Sequence, residues 1–192
     1  MTPGGVRLPP TFLFAILLAG CATLPPPGAL PPPAPPDAFE LTGRVGVQHA
    51  EQGFTGALRW SHAPGQDELW LLSPLGQAVA RVTASAGEVT LVTSDRQTWR
   101  AADASALTRE ALGWELPLDG LRYWVVGFPQ PDRPAEVHRD EAGRVQRLRQ
   151  DGWSIEYTAW DAVAGRALPR TLYAARDGLE IRLTVDSWSL AP

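Results

Sequence analysis

The sequence predicts a mainly β protein: a curved antiparallel sheet or open barrel of about eleven strands, with two helices inserted. Three observations carry this. Short segments alternate apolar and polar residues from Phe39 to Arg100, and again from Val137 to Trp188. Turn signals such as Ser85-Ala86-Gly87 and Asp177-Gly178 separate them at hairpin spacing. Between about residues 103 and 127 the apolar spacing changes to that of a helix.

The elements follow in order. Phe39–Gln48 places Leu41, Val45 and Val47 on alternate positions, and Phe54–Trp60 puts Phe54, Gly56, Leu58 and Trp60 on one face. Glu68–Leu72 is apolar on both faces. Ala78–Ala84 and Glu88–Thr93 form a hairpin, and Gln97–Arg100 adds a short strand. Asp103 caps a helix through Leu112, which Gly113 ends. A second helix starts at Pro117 or Asp119, with Leu118, Leu121, Trp124 and Val125 on its apolar face. Gly127 and Pro129 stop it. Val137–Arg139 and Val145–Gln150 flank a turn at Asp140-Glu141-Ala142-Gly143. Trp153–Trp160, Pro169–Ala174 and Leu179–Trp188 complete the meander. No internal repeat is present.

The N-terminus is organised differently. Residues 1–20 read as a leader: Arg7, an apolar stretch from Thr11 to Leu18, then Ala19 and Gly20. The stretch is short for a membrane span. Leu18-Ala19-Gly20-Cys21 has the form of a lipobox, in which cleavage before the cysteine precedes acylation of its thiol and new amino group. Cys21 is the only cysteine, so no internal disulfide competes for it. Ala22 rather than aspartate follows, which points to the outer membrane. Residues 21–36 then form the lipidated cysteine and a proline-rich tether, able to reach roughly 45 Å if extended. Residues 37–192 make one domain of ordinary size.

Without the leader, 16 arginines face 21 carboxylates, and lysine is absent. No basic block suggests nucleic acid as a partner. His49, His62 and His138 lack metal-ligand spacing, and there is no nucleophile elbow or phosphate loop. His138-Arg139-Asp140 copies a kinase tripeptide in a hairpin without the other kinase motifs. The reading is therefore not an enzyme, with no cofactor and no metal. Scattered carboxylates leave a lipid-anchored hydrolase as a minor alternative.

Between two strands, Ser73-Pro74-Leu75-Gly76-Gln77 holds turn residues around a leucine. Either Leu75 folds back onto the core, or it is an exposed apolar tip for a membrane or partner. Eight tryptophans and apolar inward faces suit either a barrel filled by side chains or one with a ligand cavity. Phe54, Leu58 and Trp60, with Trp124 on a covering helix, are the candidates for lining such a cavity.

From about Phe39 to Trp188 the chain resembles the LolB family of outer-membrane lipoprotein receptors. The marks are Gly43-Arg44, Trp60, Ser73-Pro74-Leu75-Gly76, Trp114 with Leu116-Pro117, and Leu121 with Trp124. Gly127, Pro129, Gln150 with Gly152-Trp153, Tyr157, Pro169 and Trp188 follow in order. The family often carries Asn-Pro-Leu-Gly where this chain has Ser-Pro-Leu-Gly, and the long tether is less typical. The resemblance implies an unclosed antiparallel β-barrel covered by helices, LolA/LolB-like, with an apolar cavity for acyl chains. It implies a periplasmic carrier, LolA, as partner. It also implies that Leu75, flanked by Pro74 and Gly76, protrudes and helps place cargo lipoproteins in the outer membrane.

Transfer without nucleotide hydrolysis needs only falling affinity, about 1.4 kcal/mol per tenfold preference. The expected protein is a lipid-anchored monomer on the periplasmic face of the outer membrane. A lipid-anchored assembly protein with a solid barrel is the main alternative.

Overall fold

The computed structural model describes Met1 and residues 34–190. Cys21, the leader and most of the proline-rich segment lie outside the described residues. Ala34–Pro192 forms one folded unit.

Its elements are β1 Phe39–His49, β2 Gln52–Ala63, β3 Gln66–Leu72, β4 Ala78–Ser85, β5 Glu88–Thr93, β6 Thr98–Ala101, α1 Ala104–Leu112 and α2 Leu118–Trp124. β7 Ala135–Arg139, β8 Val145–Gln150, β9 Trp153–Val163, β10 Arg166–Arg176 and β11 Leu179–Leu190 follow. All eleven strands join one antiparallel sheet in the order β6-β5-β4-β3-β2-β1-β11-β10-β9-β8-β7. The meander is interrupted once, where β1 pairs with β11 and brings the two ends of the domain together mid-sheet. β6 and β7 stay at opposite edges, so the barrel is unclosed.

Alternation decides which face is buried. In β3, Asp67, Leu69 and Leu71 point inward while Glu68, Trp70 and Leu72 stay partly exposed. The inner face of the sheet and the apolar sides of α1 and α2 share one core. Phe39 sits edge-on to Trp60 at 5.2 Å and to Trp188 at 5.7 Å, and Trp124 packs on Trp153 at 5.9 Å.

The antiparallel order also fixes two rims. The β1–β2, β3–β4, β5–β6, β8–β9 and β10–β11 connections share one. The start of β1 and the β2–β3, β4–β5, β7–β8 and β9–β10 turns share the other.

Asp103 caps α1 by accepting from the Ser105 and Ala106 amides at 3.1 and 2.9 Å, and Gly113 closes the helix at φ 80°. The second helix departs from its sequence pattern: it ends at Trp124 rather than running to Gly127. The Tyr123 and Trp124 carbonyls instead accept from Val126, Phe128 and Gly127 in tight turns, with Gly127 at φ 84°. The β9–β10 hairpin is longer than alternation suggests. Its turn is Ala164-Gly165 with both φ positive, 48° and 77°, and alanine is a poor signal for that conformation.

Candidate functional site

The β3–β4 connection is a compact hairpin loop. The Gly76 amide donates to the Ser73 carbonyl at 2.8 Å, and the Ser73 amide donates to Gln77 at 2.8 Å. The Gln77 amide also donates to the Ser73 hydroxyl at 3.2 Å. Pro74 brings a fixed φ to the turn, and Gly76 takes φ 81°, a left-handed value that disfavours a side chain. This geometry leaves Leu75 nowhere to fold back, and it is 87 % exposed. Pro74 and Gly76 are exposed beside it.

The base of the loop is set from β2. A Cβ on Gly56 would lie 2.0 Å from the Leu72 carbonyl oxygen, so the two strands approach as closely as they do only because this residue is glycine.

The residues read from sequence as cavity candidates lie in the core. Leu58, Trp60 and Trp124 are 3 %, 1 % and 1 % exposed, and Phe54 is half-buried against them. Trp60 donates through Nε1 to Asp67 at 2.9 Å. Trp124 donates to Gln150 at 2.9 Å. Four concavities of about 190 to 510 Å³ were found among the described residues. None is lined by Phe54, Leu58 or Trp60. Trp124 borders one of about 350 Å³, between the two helices and the loop before β7. The one of about 510 Å³ lies on the outer face of the sheet. Leu58, Trp60 and Trp124 are thus packed among the protein's own side chains.

Polar groups to which the sequence reading assigned no structural role hold the helices to the sheet. Buried Asp67 meets Trp60 Nε1, His62 Nδ1 at 2.8 Å and the Arg122 guanidinium of α2 at 3.2 Å. Gln150, 3 % exposed, accepts from Trp124 and from the Gln130 amide at 2.8 Å. It donates to the Gln130 and Arg133 carbonyls at 2.9 and 3.3 Å. The Tyr157 hydroxyl donates to the Trp124 carbonyl at 2.8 Å, and burial pushes its phenol pKa up. Glu115 takes both Arg109 and Arg176, pinning the α1–α2 connection to β10. Asp67 carries a signal in retrospect: it is an inward-facing carboxylate in an alternating strand, which demands a partner.

The histidines do not converge. His62 serves Asp67, His138 is exposed on β7, and His49 Nδ1 is buried without a partner beside a cleft of about 190 Å³. No helix among the described residues is long and apolar enough to cross a membrane.

Comparisons with known proteins agree with this architecture. The chain overlays a LolA-superfamily protein from Nitrosomonas europaea with a TM-score of 0.50 at 9 % identity, covering 83 % of this chain and 88 % of that one. A lipoprotein-sorting protein domain from Vibrio parahaemolyticus gives 0.50 at 10 % identity, covering 80 % and 85 %. These share the fold. In sequence, the chain is 46 % identical to the outer-membrane lipoprotein LolB of Thiobacillus denitrificans, over 93 % of this chain and 95 % of that protein. It is 33 % identical to that of Nitrosococcus oceani, over 96 % and 98 %. The family model for outer membrane lipoprotein LolB matches residues 37–188. The chain therefore belongs to the LolB family of outer-membrane lipoproteins.

Proposed function

We propose that the protein is an outer-membrane-anchored receptor that accepts lipoproteins from the periplasmic carrier LolA and inserts them into the outer membrane without nucleotide hydrolysis. Cys21 supplies the lipid anchor, residues 22–36 the tether and residues 37–192 the lipoprotein-binding domain. Acyl chains enter the apolar interior around Leu58, Trp60 and Trp124. Because that interior is packed, entry requires the covering helices to shift.

The single observation that carries the reading is Leu75, held out into solvent by a loop too tight to let it retreat. Burying a leucine side chain in lipid contributes about 1.5–3 kcal/mol. Glu in its place loses that and adds a cost on the order of 2.5–3.5 kcal/mol for a charge in the apolar layer. Leu75→Glu at this exposed position changes folding by less than about 0.5 kcal/mol. It therefore slows insertion by about a thousandfold or more while leaving cargo uptake unchanged. The check is deposition of a triacylated lipoprotein into liposomes. Deposition at the wild-type rate overturns the tip reading.

The packed interior also favours a second reading, a lipid-anchored assembly protein with a solid barrel. Handover separates the two. LolA loaded with a triacylated lipoprotein is mixed with the receptor, and the cargo is followed by pull-down. Cargo that stays on LolA in the presence of folded receptor supports the solid barrel.

A further inference from the structure

The outer face of the sheet beneath the Leu75 loop is graded in polarity along the strands. Register places side chains of four strands abreast. Nearest the loop Ala57 stands opposite Leu72, and the register of β4 shifts there, from Ala80 opposite Leu71 to Ala78 opposite Leu72, leaving Val79 between them; Ala57, Leu72 and Val79 are each half-buried. Two residues further from the tip, Arg59, Trp70, Arg81 and Val92 stand side by side. The next rung is Ser61, Glu68, Thr83 and Thr90. Moving away from Leu75, the surface thus passes from aliphatic, to tryptophan between two arginines, to hydroxyls and a carboxylate.

The middle rung is built. The Arg81 guanidinium lies 4.9 Å over the Trp70 ring. Trp70 Nε1 and Arg81 both reach the same Glu68 oxygen at 2.8 Å. The polar edge of the ring is thereby turned away from the tip. Arg59 is exposed and has no ion pair among the described residues.

We propose that this face is a membrane-interface collar: when the Leu75 loop enters a leaflet, Leu72 and Val79 follow it into the apolar layer, and Trp70, Arg59 and Arg81 settle among anionic lipid headgroups. The inference rests on the reading of Leu75 as a membrane tip. Three arguments favour a bilayer over a protein partner. The gradient runs in one direction, along the axis of insertion, as lipid depth requires and a protein surface does not. Tryptophan prefers the headgroup boundary, and arginine extends its apolar stem beside it while its charge meets phosphate. Successive rungs are about 7 Å apart, comparable to the roughly 5–8 Å depth of one interfacial layer. The collar thereby limits how far the tip can sink and fixes the tilt of the barrel.

The test uses the lipidated full chain in vesicles of phosphatidylethanolamine and phosphatidylglycerol containing brominated phosphatidylcholine. Subtracting the fluorescence of Trp70→Phe from that of wild type isolates Trp70 among the eight tryptophans. Bromines near the headgroup end of the acyl chains should quench this difference signal more than bromines near the terminal methyl. A difference signal unquenched by either overturns the collar. Arg59→Glu, which breaks no ion pair among the described residues, is the second probe. It should slow cargo deposition roughly tenfold in these vesicles and by less than about twofold in purely zwitterionic ones. Equal rates in both overturn the role of the arginine. Leu75→Glu separates the two ideas: if it inserts normally the tip reading itself fails, and if it blocks insertion while Trp70 stays unquenched, only the collar fails.

Discussion

Gln150→Leu tests how the cover over the sheet is held. Leucine matches glutamine in size and suits a site that is 3 % exposed, so packing is largely kept. What disappears is a set of four hydrogen bonds joining β8 to Trp124, Gln130 and Arg133. The carbonyls of Gln130 and Arg133 sit near the surface and can find water. The donors are worse placed. Trp124 Nε1 is in a side chain only 1 % exposed, and the Gln130 amide is half-buried. A stranded buried donor costs about 1–3 kcal/mol, and the half-buried one falls at the low end, so the sum is about 2–4 kcal/mol. With a urea m-value of about 2 kcal/mol/M, the midpoint falls by about 1–2 M at unchanged slope. The measurement is urea unfolding of the chain carrying Cys21→Ala, followed by far-ultraviolet circular dichroism. A midpoint within about 0.2 M of the parent would refute the claim that Gln150 is the bolt between α2, the segment leading to β7, and the sheet.

Urea unfolding also reads the effects of Asp67→Ala and Gly56→Ala. Asp67→Ala removes the partner of Trp60 Nε1 and leaves the Arg122 guanidinium without its inner carboxylate; a loss of about 3–5 kcal/mol is expected, well above that for Arg122→Ala, which leaves Asp67 its other two partners. Gly56→Ala drives a methyl into the Leu72 carbonyl, so it should destabilise by more than about 2 kcal/mol and loosen the base of the Leu75 loop, read as faster amide exchange at residues 73–77. Burial raises the Tyr157 pKa from its ordinary value of 10.0. The unfolded chain therefore releases this proton first as pH rises, and stability present below about pH 10 is lost above it. Tyr157→Phe should lose about 1 kcal/mol at neutral pH and flatten the alkaline fall of the thermal midpoint.

How far the sequence carries depends on whether the responsible force is local. β1, β2, β4 and β5 are legible because each alternates against one buried face, β3 because it is a short apolar run between turns, and α1 because Asp103 and Gly113 mark both ends. The Leu75 loop is legible because Ser-Pro-Leu-Gly writes its own turn. The pairing of β1 with β11 is not, since contact between residues 39 and 190 leaves no local trace. Nor is the true end of α2, where the Trp124 carbonyl is claimed by the distant Tyr157 hydroxyl. The same limit applies to Trp60 and Trp124. An inward tryptophan reads alike whether it packs or lines a cavity, and only the partners of its Nε1 show it fixed in the core. Gln150 is noticeable in sequence as a polar residue before Gly152-Trp153, but its purpose emerges only once Gln130 and Arg133 are seen folded over it.

One consequence of the two rims concerns the segment that follows Cys21. The Leu75 loop lies on one rim, and β1 begins on the other. Arg166 donates to the Ala34 carbonyl at 2.7 Å, so the chain is still held at that far rim before β1 starts. β1 is 11 residues long, about 37 Å along the strand and roughly 28 Å along the axis at ordinary barrel tilt. If Leu75 meets the leaflet in which Cys21 is anchored, the chain from Cys21 to Ala34 must cover that height. Its twelve intervening residues can span at most about 40–43 Å, which suffices when the chain is extended. Deleting residues 24–31 leaves four residues, with a reach of at most about 14 Å, which does not suffice. The shortened chain should still be lipidated and still accept cargo from LolA, yet deposit it at least about tenfold more slowly. Eight Gly and Ser residues inserted in place of the deleted ones should restore the rate, because the requirement is length rather than proline. A shortened tether that supports deposition at the full rate would mean that the Leu75 rim does not face the anchoring leaflet, and the orientation argued from the strand order would have to be reversed.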